Sequence, residues 1–162
     1  MWDGARARLT EAMFEGAPNL LVQHQLNSFN AFVGGGLQRI FRELNPIRVM
    51  KEQDSDSGIF SNQCEIYLGG MTGMLVYFGR PVLADSTSTR LLYPNIARLR
   101  DITYAATLHV DVEAVFTVDG KEPVSVVLPK VFLGKLPIML LSDLCLLKDL
   151  TPSVRQQFGE CA

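Results

Sequence analysis

"LHVDVEAVFTV", Leu108 to Val118, decides the fold class. Leu108, Val110, Val112, Ala114, Phe116 and Val118 alternate with His109, Asp111, Glu113 and Thr117. A period of two marks a strand with one face toward a core and the other toward water. Asp119-Gly120 follows as a hairpin signal, and "VSVVL", Val124 to Leu128, supplies the returning strand.

Working outward toward the N-terminus, "CEIYLGG", Cys64 to Gly70, reads as a short strand closed by glycines, and "VMKEQDSDSG", Val49 to Gly58, as a polar loop. "ADSTSTR", Ala84 to Arg90, is a low-complexity patch that predicts an exposed loop. Upstream, Val22, Leu26, Phe29, Val33, Leu37, Ile40 and Leu44 recur at steps of three and four, one stripe of a long helix. Asn19 fits its N-cap, and Asn45-Pro46 its stop. The stripe keeps phase through Gly34, Gly35 and Gly36, although each glycine costs about 1 kcal/mol against alanine inside a helix. The triplet therefore predicts a helix bent or broken there. A phosphate-binding loop would follow a strand and end in Gly-Lys-Ser/Thr, which this one does not. Toward the C-terminus, Ser142 can cap a short helix through Leu147, and Thr151-Pro152 can begin another that ends at Gly159. A long N-terminal helix, then strands, then short C-terminal helices make an α+β fold with a mainly antiparallel sheet.

The chain has 162 residues, of which 48% are hydrophobic and 20% charged, the size and make-up of one globular domain. With 15 basic and 17 acidic residues its formal charge is -2, so any contact with nucleic acid must come from a local patch. Asp3, Arg6, Arg8, Glu11 and Glu15 stand where a signal peptide needs an unbroken apolar run. The most apolar run, Val131 to Leu147, is interrupted by Gly134, Lys135, Pro137 and Asp143, which argues against a membrane span. Cys64, Cys145 and Cys161 are too few and too scattered for a disulfide framework or a zinc motif. Together these features predict an intracellular chain.

The case for stand-alone catalysis is thin. Cys145 lies among leucines and reads as a small buried hydrophobe. His24 and His109 have no visible partner set, and His109 with Asp111 and Glu113 reads as a solvated strand face as readily as a metal site. The basic residues suggest more. "TRLLYPNIARLRDITY", Thr89 to Tyr104, reads as an extended segment with Arg98 and Arg100 on one side. Such cations serve phosphate contacts, or they pair with Asp101 and orient a loop. Lys135, between Gly134 and Pro137, fits a turn whose ammonium reaches solvent or a partner.

Three segments carry a family resemblance: "LVQHQLNSFNAFV" with "GLQRIF", "PNIARLRDITYAATLHVDV", and "FLGKLPIMLLSDLCLL" through "GEC". They resemble, in order, the first helix, the Pro-Asn-x-Ala-Arg-Leu-Arg-x-x-Thr-Tyr segment, and the Gly-Lys-Ile-Pro-Ile-Met-Leu-Arg-Ser stretch with its later Glu-Cys-Pro. All three belong to the second-largest, β-type subunit of multisubunit DNA-directed RNA polymerase, in its eukaryotic, archaeal or large-DNA-virus form. The resemblance divides the chain into an N-terminal extension, 1–19, and a partial protrusion domain, 20–162. It implies that Val131 to Leu133 finish a strand, Gly134 to Pro137 turn, and Leu144 to Leu147 form a helix on the sheet.

The resemblance also implies a role in the upstream wall of the cleft, with DNA, initiation factors and other polymerase subunits as partners. No catalytic, cofactor or metal residue carries over, because the family's catalytic magnesium is held by another subunit. Arg98, Arg100 and Lys135 are the candidate contacts. The compartment implied is the nucleus or, for a viral chain, the virion and host cytoplasm. Leu141 and Ile96 replace residues that are often charged in the family, and "GGMTGMLVYFGRPVLADSTSTR", Gly69 to Arg90, is a longer and more apolar connection. Relatives are many times longer, so this sequence reads as a fragment, a split gene product, or a truncated interaction protein that binds polymerase subunits or initiation factors. Open strand edges together with the apolar Met74 to Leu83 predict a tendency to associate.

Overall fold

The computed structural model describes residues 2–16, 19–53, 60–84, 88–118, 121–148 and 150. Helix α1 (Trp2–Gly16) is followed by α2 (Gln23–Ala31), a π-helical turn (Phe32–Gly36) and α3 (Leu37–Leu44). Strands β1 (Ile47–Gln53), β2 (Phe60–Leu68), β3 (Val76–Gly79), β4 (Val82–Ala84) and β5 (Thr89–Leu91) lead to a short helix α4 (Pro94–Leu99). The chain then runs through β6 (Ala105–Val118) and β7 (Val124–Pro137). The class is α+β with an antiparallel sheet, as the alternation and the stripe imply.

The period-two stretch becomes the centre of the sheet. One edge of β6 pairs with β2 along Val112–Val118 and with β3 along Thr107–Val110, while the other edge pairs with β7. β1 lies outside β2, and β4 with β5 forms a separate hairpin. The polar segment read as a loop from Val49 is therefore strand as far as Gln53. Its ladder with β2 overrides its weak strand propensity, and residues 54–59 lie outside the described ones. The apolar connection after Gly70 contributes β3 to the sheet.

The helix begins at Gln23 rather than at Asn19. Asn19 instead accepts the Val22 N–H through its backbone carbonyl at 3.0 Å, and no side chain caps α2. The glycine triplet widens the helix without breaking it, because Leu37 N–H reaches back to the Phe32 carbonyl and the turn takes in an extra residue. Of the stripe only Leu26 is buried, while Ile40 and Leu44 are exposed; past the π-helical turn Phe41, one residue off the stripe, takes the buried position. Past the helix end, the Asn45 side chain acts like a strand residue. Its Nδ2 donates to the Leu68 carbonyl and its Oδ1 accepts from the Leu68 N–H, each at 2.9 Å. Gly73, at φ +69, lets the β2–β3 connection approach α3: a Cβ there would lie 2.9 Å from the Arg42 nitrogen.

Two readings of the C-terminal part are corrected. Gly134–Pro137 is not a turn. It continues β7 opposite Leu108–Ala105, and a register shift between Leu108 and His109 absorbs the extra residue. Ser142–Leu147 is not a helix either. Ser142, Cys145 and Lys148 N–H groups each bond the carbonyl three residues back, and Leu141 at φ 64 blocks a regular helical start. The helix expected from Thr151 and the Asp119-Gly120 turn lie outside the described residues.

These turns make the core. Ala106, Ile138, Cys145 and Leu147 are buried together, and Tyr104, Leu141 and Leu144 pack on them. Leu141 is thus an apolar packing residue. The Tyr104 hydroxyl accepts the Leu146 N–H at 3.0 Å and lies 3.8 Å from the Cys145 sulfur. Asn30 accepts the Asp143 N–H at 2.9 Å, which ties α2 to the turns.

The ladder registers sort the sheet into two faces. One carries Ile47 and Val49, Cys64 and Ile66, Ala114 and Phe116, and Val124 and Val126. The other carries a polar cluster in which Glu65 accepts from Arg48 at 3.0 Å, Gln63 at 3.2 Å and the Tyr67 hydroxyl at 2.9 Å. The hydrogen bond to Glu65, with partial desolvation, raises the Tyr67 hydroxyl above its ordinary pKa.

Candidate nucleic-acid or partner interface

Arg98 and Arg100 lie at the end of a helix, not on an extended segment. Pro94 occupies the first turn of α4, where its missing N–H costs nothing and its fixed φ favours the helix. The helix closes in a Schellman arrangement. Ile102 N–H bonds the Ala97 carbonyl at 2.8 Å, and Asp101 N–H bonds the Arg98 carbonyl at 3.2 Å. Asp101 takes the left-handed position usually given to glycine, at φ 54. Two residues apart on a helix means roughly 200° apart, so the arginines do not share one side. Pro94 was the signal for this helix in the sequence, and the structure adds an extended Tyr93 before it.

Asp101 thus contributes its backbone conformation. Among the described residues, the Arg98 guanidinium and the Lys135 ammonium make no ion pair. Arg98 borders an apolar cleft of about 580 Å³ with Pro94, Ala97, Ile102, Tyr104, Ile138 and Leu140. Lys135 lies on β7 opposite Thr107, exposed, three residues before the Ile138 that lines the same cleft. The structure therefore places the two cations on different elements, Arg98 on α4 beside the cleft and Lys135 on β7 in the ladder with β6.

The other candidates are explained by packing. Cys145 is buried in the core. Burial, with the Cys145 sulfur adding to it, pushes the Tyr104 hydroxyl well above its ordinary pKa, so that group remains a neutral pin. His109 faces the Phe132 ring with centroids 5.5 Å apart. Asp111 accepts the Tyr77 hydroxyl at 3.2 Å and the Lys130 N–H at 2.8 Å, which fixes a bulge in β7. His24 borders a shallow cleft with Phe29, Phe32 and Met139. Among the described residues no group of three His, Cys, Asp or Glu side chains could hold a metal ion. No helix among them is long and apolar enough to cross a membrane.

Comparison with known proteins gives this geometry its context. The profile of the family described as RNA polymerase beta subunit matches residues 20–162. The chain is 36% identical over 151 residues to DNA-directed RNA polymerase II subunit 2 of Arabidopsis thaliana, an alignment covering 87% of this chain. It is 33% identical over 156 residues to an RNA polymerase II RPB2 homolog of Invertebrate iridescent virus 3, covering 95% of this chain. It is 30% identical over 126 residues to the RNA polymerase subunit Rpo2N of Methanocaldococcus jannaschii, covering 77%. It spans 12% of the length of the first two and 22% of the third. The match starts where the helical stripe begins and takes in the sheet, α4 and the core turns, so the chain belongs to the RNA polymerase beta-subunit family, as the N-terminal region of a second-largest subunit.

Proposed function

We propose that residues 20–162 belong to the protrusion of a DNA-directed RNA polymerase, on the upstream side of its cleft, with 1–19 as an extension. The observation that carries the reading is the family match along the whole of that region. In this role the chain is structural. It holds DNA and initiation factors in place beside other polymerase subunits and performs no nucleotidyl transfer itself. The magnesium that such chemistry uses would be held by another subunit. The compartment is that of the assembled polymerase, the nucleus or, for a viral enzyme, the virion and host cytoplasm.

DNA is contacted by a few local cations, as a net charge of -2 requires. Lys135 and Arg98 are exposed and unpaired among the described residues, which suits phosphate contacts that position without reading sequence. Arg100 flanks them at the helix end.

A salt titration of upstream-DNA affinity in the assembled polymerase carrying Lys135→Ala tests the assignment. The slope of log affinity against log salt should fall by about one unit. An unchanged slope with a lowered melting temperature would make Lys135 structural. Purification from the native source separates this function from that of a stand-alone interaction protein. The chain should co-elute as the missing part of the second subunit, and an intact second subunit in the same complex would favour the alternative.

A further inference from the structure

Val112 pairs with Leu128 and Val110 with Val131, so two residues of β7, Pro129 and Lys130, stand opposite Asp111 of β6. Pro129 has no N–H to offer, and Lys130, left-handed at φ 51, brings the backbone donor of this bulge. One oxygen of the Asp111 carboxylate accepts it at 2.8 Å, and the other accepts the Tyr77 hydroxyl at 3.2 Å. The Lys130 ammonium lies 5.7 Å from the centre of the Tyr77 ring. Asp111 itself is held from the opposite edge of β6. Its N–H bonds the Leu75 carbonyl at 3.2 Å, and its carbonyl accepts the Gly69 N–H at 2.8 Å and the Gly70 N–H at 3.1 Å. The acceptor for the bulge is therefore fixed by elements other than β7.

We propose that Asp111 is the positioning residue that selects the register of Val124–Leu128, its carboxylate holding the bulge that keeps Val126 on the apolar face. Hydrophobic pattern cannot make this choice. Val124, Val126 and Leu128 share a face with Phe116, Ala114 and Val112, while Ser125 and Val127 take the other. Val126 is 43% exposed and Val127 59%, so neither face demands its own residues, and register is weakly specified under that condition. A slip of one residue, with Val126 opposite Val115, would remove the bulge and set Lys130 opposite Asp111. It would leave the ladder from Val131 onward as it is, and would bring Pro129, which lacks a donor, opposite Val112. Beyond the bulge the register is secured otherwise. Leu136 stands opposite the buried Ala106, and the Ile138 N–H bonds the Tyr104 carbonyl at 3.0 Å. The inference concerns the half of β7 before the bulge and is independent of any role of Lys135, which lies past it.

The test uses the full chain with Cys64 and Cys161 replaced by serine, leaving the buried Cys145. Cysteine pairs read the register, because residues opposite each other lie about 4.5–5.5 Å apart, within disulfide reach, whereas the next residue along points to the other face. Val115→Cys/Ser125→Cys reports the bulged register and Val115→Cys/Val126→Cys the slipped one. Thr107→Cys/Lys135→Cys reports the half beyond the bulge. With Asp111 in place, mild oxidation should close the first pair severalfold faster than the second. Asp111→Ala should shift that ratio at least severalfold toward the second pair, while the Thr107→Cys/Lys135→Cys pair closes as before. Asp111→Asn, whose side-chain oxygen still accepts the Lys130 N–H, should keep the original ratio and so separate loss of the acceptor from loss of charge. An unchanged ratio in Asp111→Ala, or an equal shift in Asp111→Asn, would overturn the proposal. So would an Asp111→Ala chain that no longer folds by circular dichroism, since the slipped register would then be no alternative.

Discussion

The two ends of β6 carry the same pattern and meet different fates. On one face, Ala106 and Val110 are 1% and 0% exposed, while Phe116 and Val118 on that same face are 43% and 44% exposed. At the Ala106 end, Ile138 and the turns holding Cys145 and Leu147 close over the strand. At the Phe116 end, the neighbours on the ladder are Cys64 and Val124, side by side in the sheet, and the open face continues through Val126 and Val49. Alternation tells which side chains share a face. Whether another layer covers that face depends on segments far away in sequence, here the stretch from Ile138 to Leu147.

Four substitutions can break or sharpen this contrast. The largest effect is expected from Leu147→Ala, which opens a cavity in the closed end and should cost about 2–5 kcal/mol in denaturant unfolding. Phe116→Ala, at the open end, should cost only about 1 kcal/mol, since half of its burial term is absent. Equal costs would erase the difference between the two ends.

Next comes Tyr104→Phe. Loss of the hydroxyl strands the Leu146 N–H and should cost about 1–3 kcal/mol. The pH dependence has a definite sign. The folded pKa of Tyr104 is raised, chiefly by burial, above the unfolded value near 10. Its contribution is therefore fully present below about pH 10 and is lost as pH rises from there through the folded value. The alkaline fall in stability should be shallower in Tyr104→Phe. A fall of equal steepness would show that the Tyr104 ring is not held as the closed end requires.

The smallest effect belongs to Val118→Thr. Stability should change by no more than about 0.5 kcal/mol, while binding of a hydrophobic dye such as ANS should fall, because the open face loses apolar surface. Unchanged dye binding would place the exposed apolar patch elsewhere.

Much of the fold was legible because local chemistry and tertiary structure agreed. The Leu108–Val118 alternation gave the central strand, and Asn45-Pro46 ended the helix where α3 ends. The glycine triplet marked a distortion, and the π-helical turn is there. The misreadings share a cause. At Gly134–Pro137 a glycine and a proline signalled a turn, but fourteen residues of β6 were available as a template and a register shift absorbed the misfit. At Arg98 and Arg100 the cations were legible as candidates while their geometry was not. Pro94 starts a helix there, and a left-handed Asp101, which nothing in the sequence marks as the closing residue, ends it.

The sequence by itself determined the family, the α+β class, the central strand and the lack of a chain-wide positive field. Each of these rests on residue identity or on periodicity along a single segment. Only the tertiary structure decided which half of the β6 face is covered, that Tyr104 pins the Leu146 backbone, and that Arg98 borders an apolar cleft while Lys135 lies on β7 opposite Thr107. Those features depend on contacts between residues tens of positions apart, and ladder register and layer packing fix such contacts where local propensity cannot.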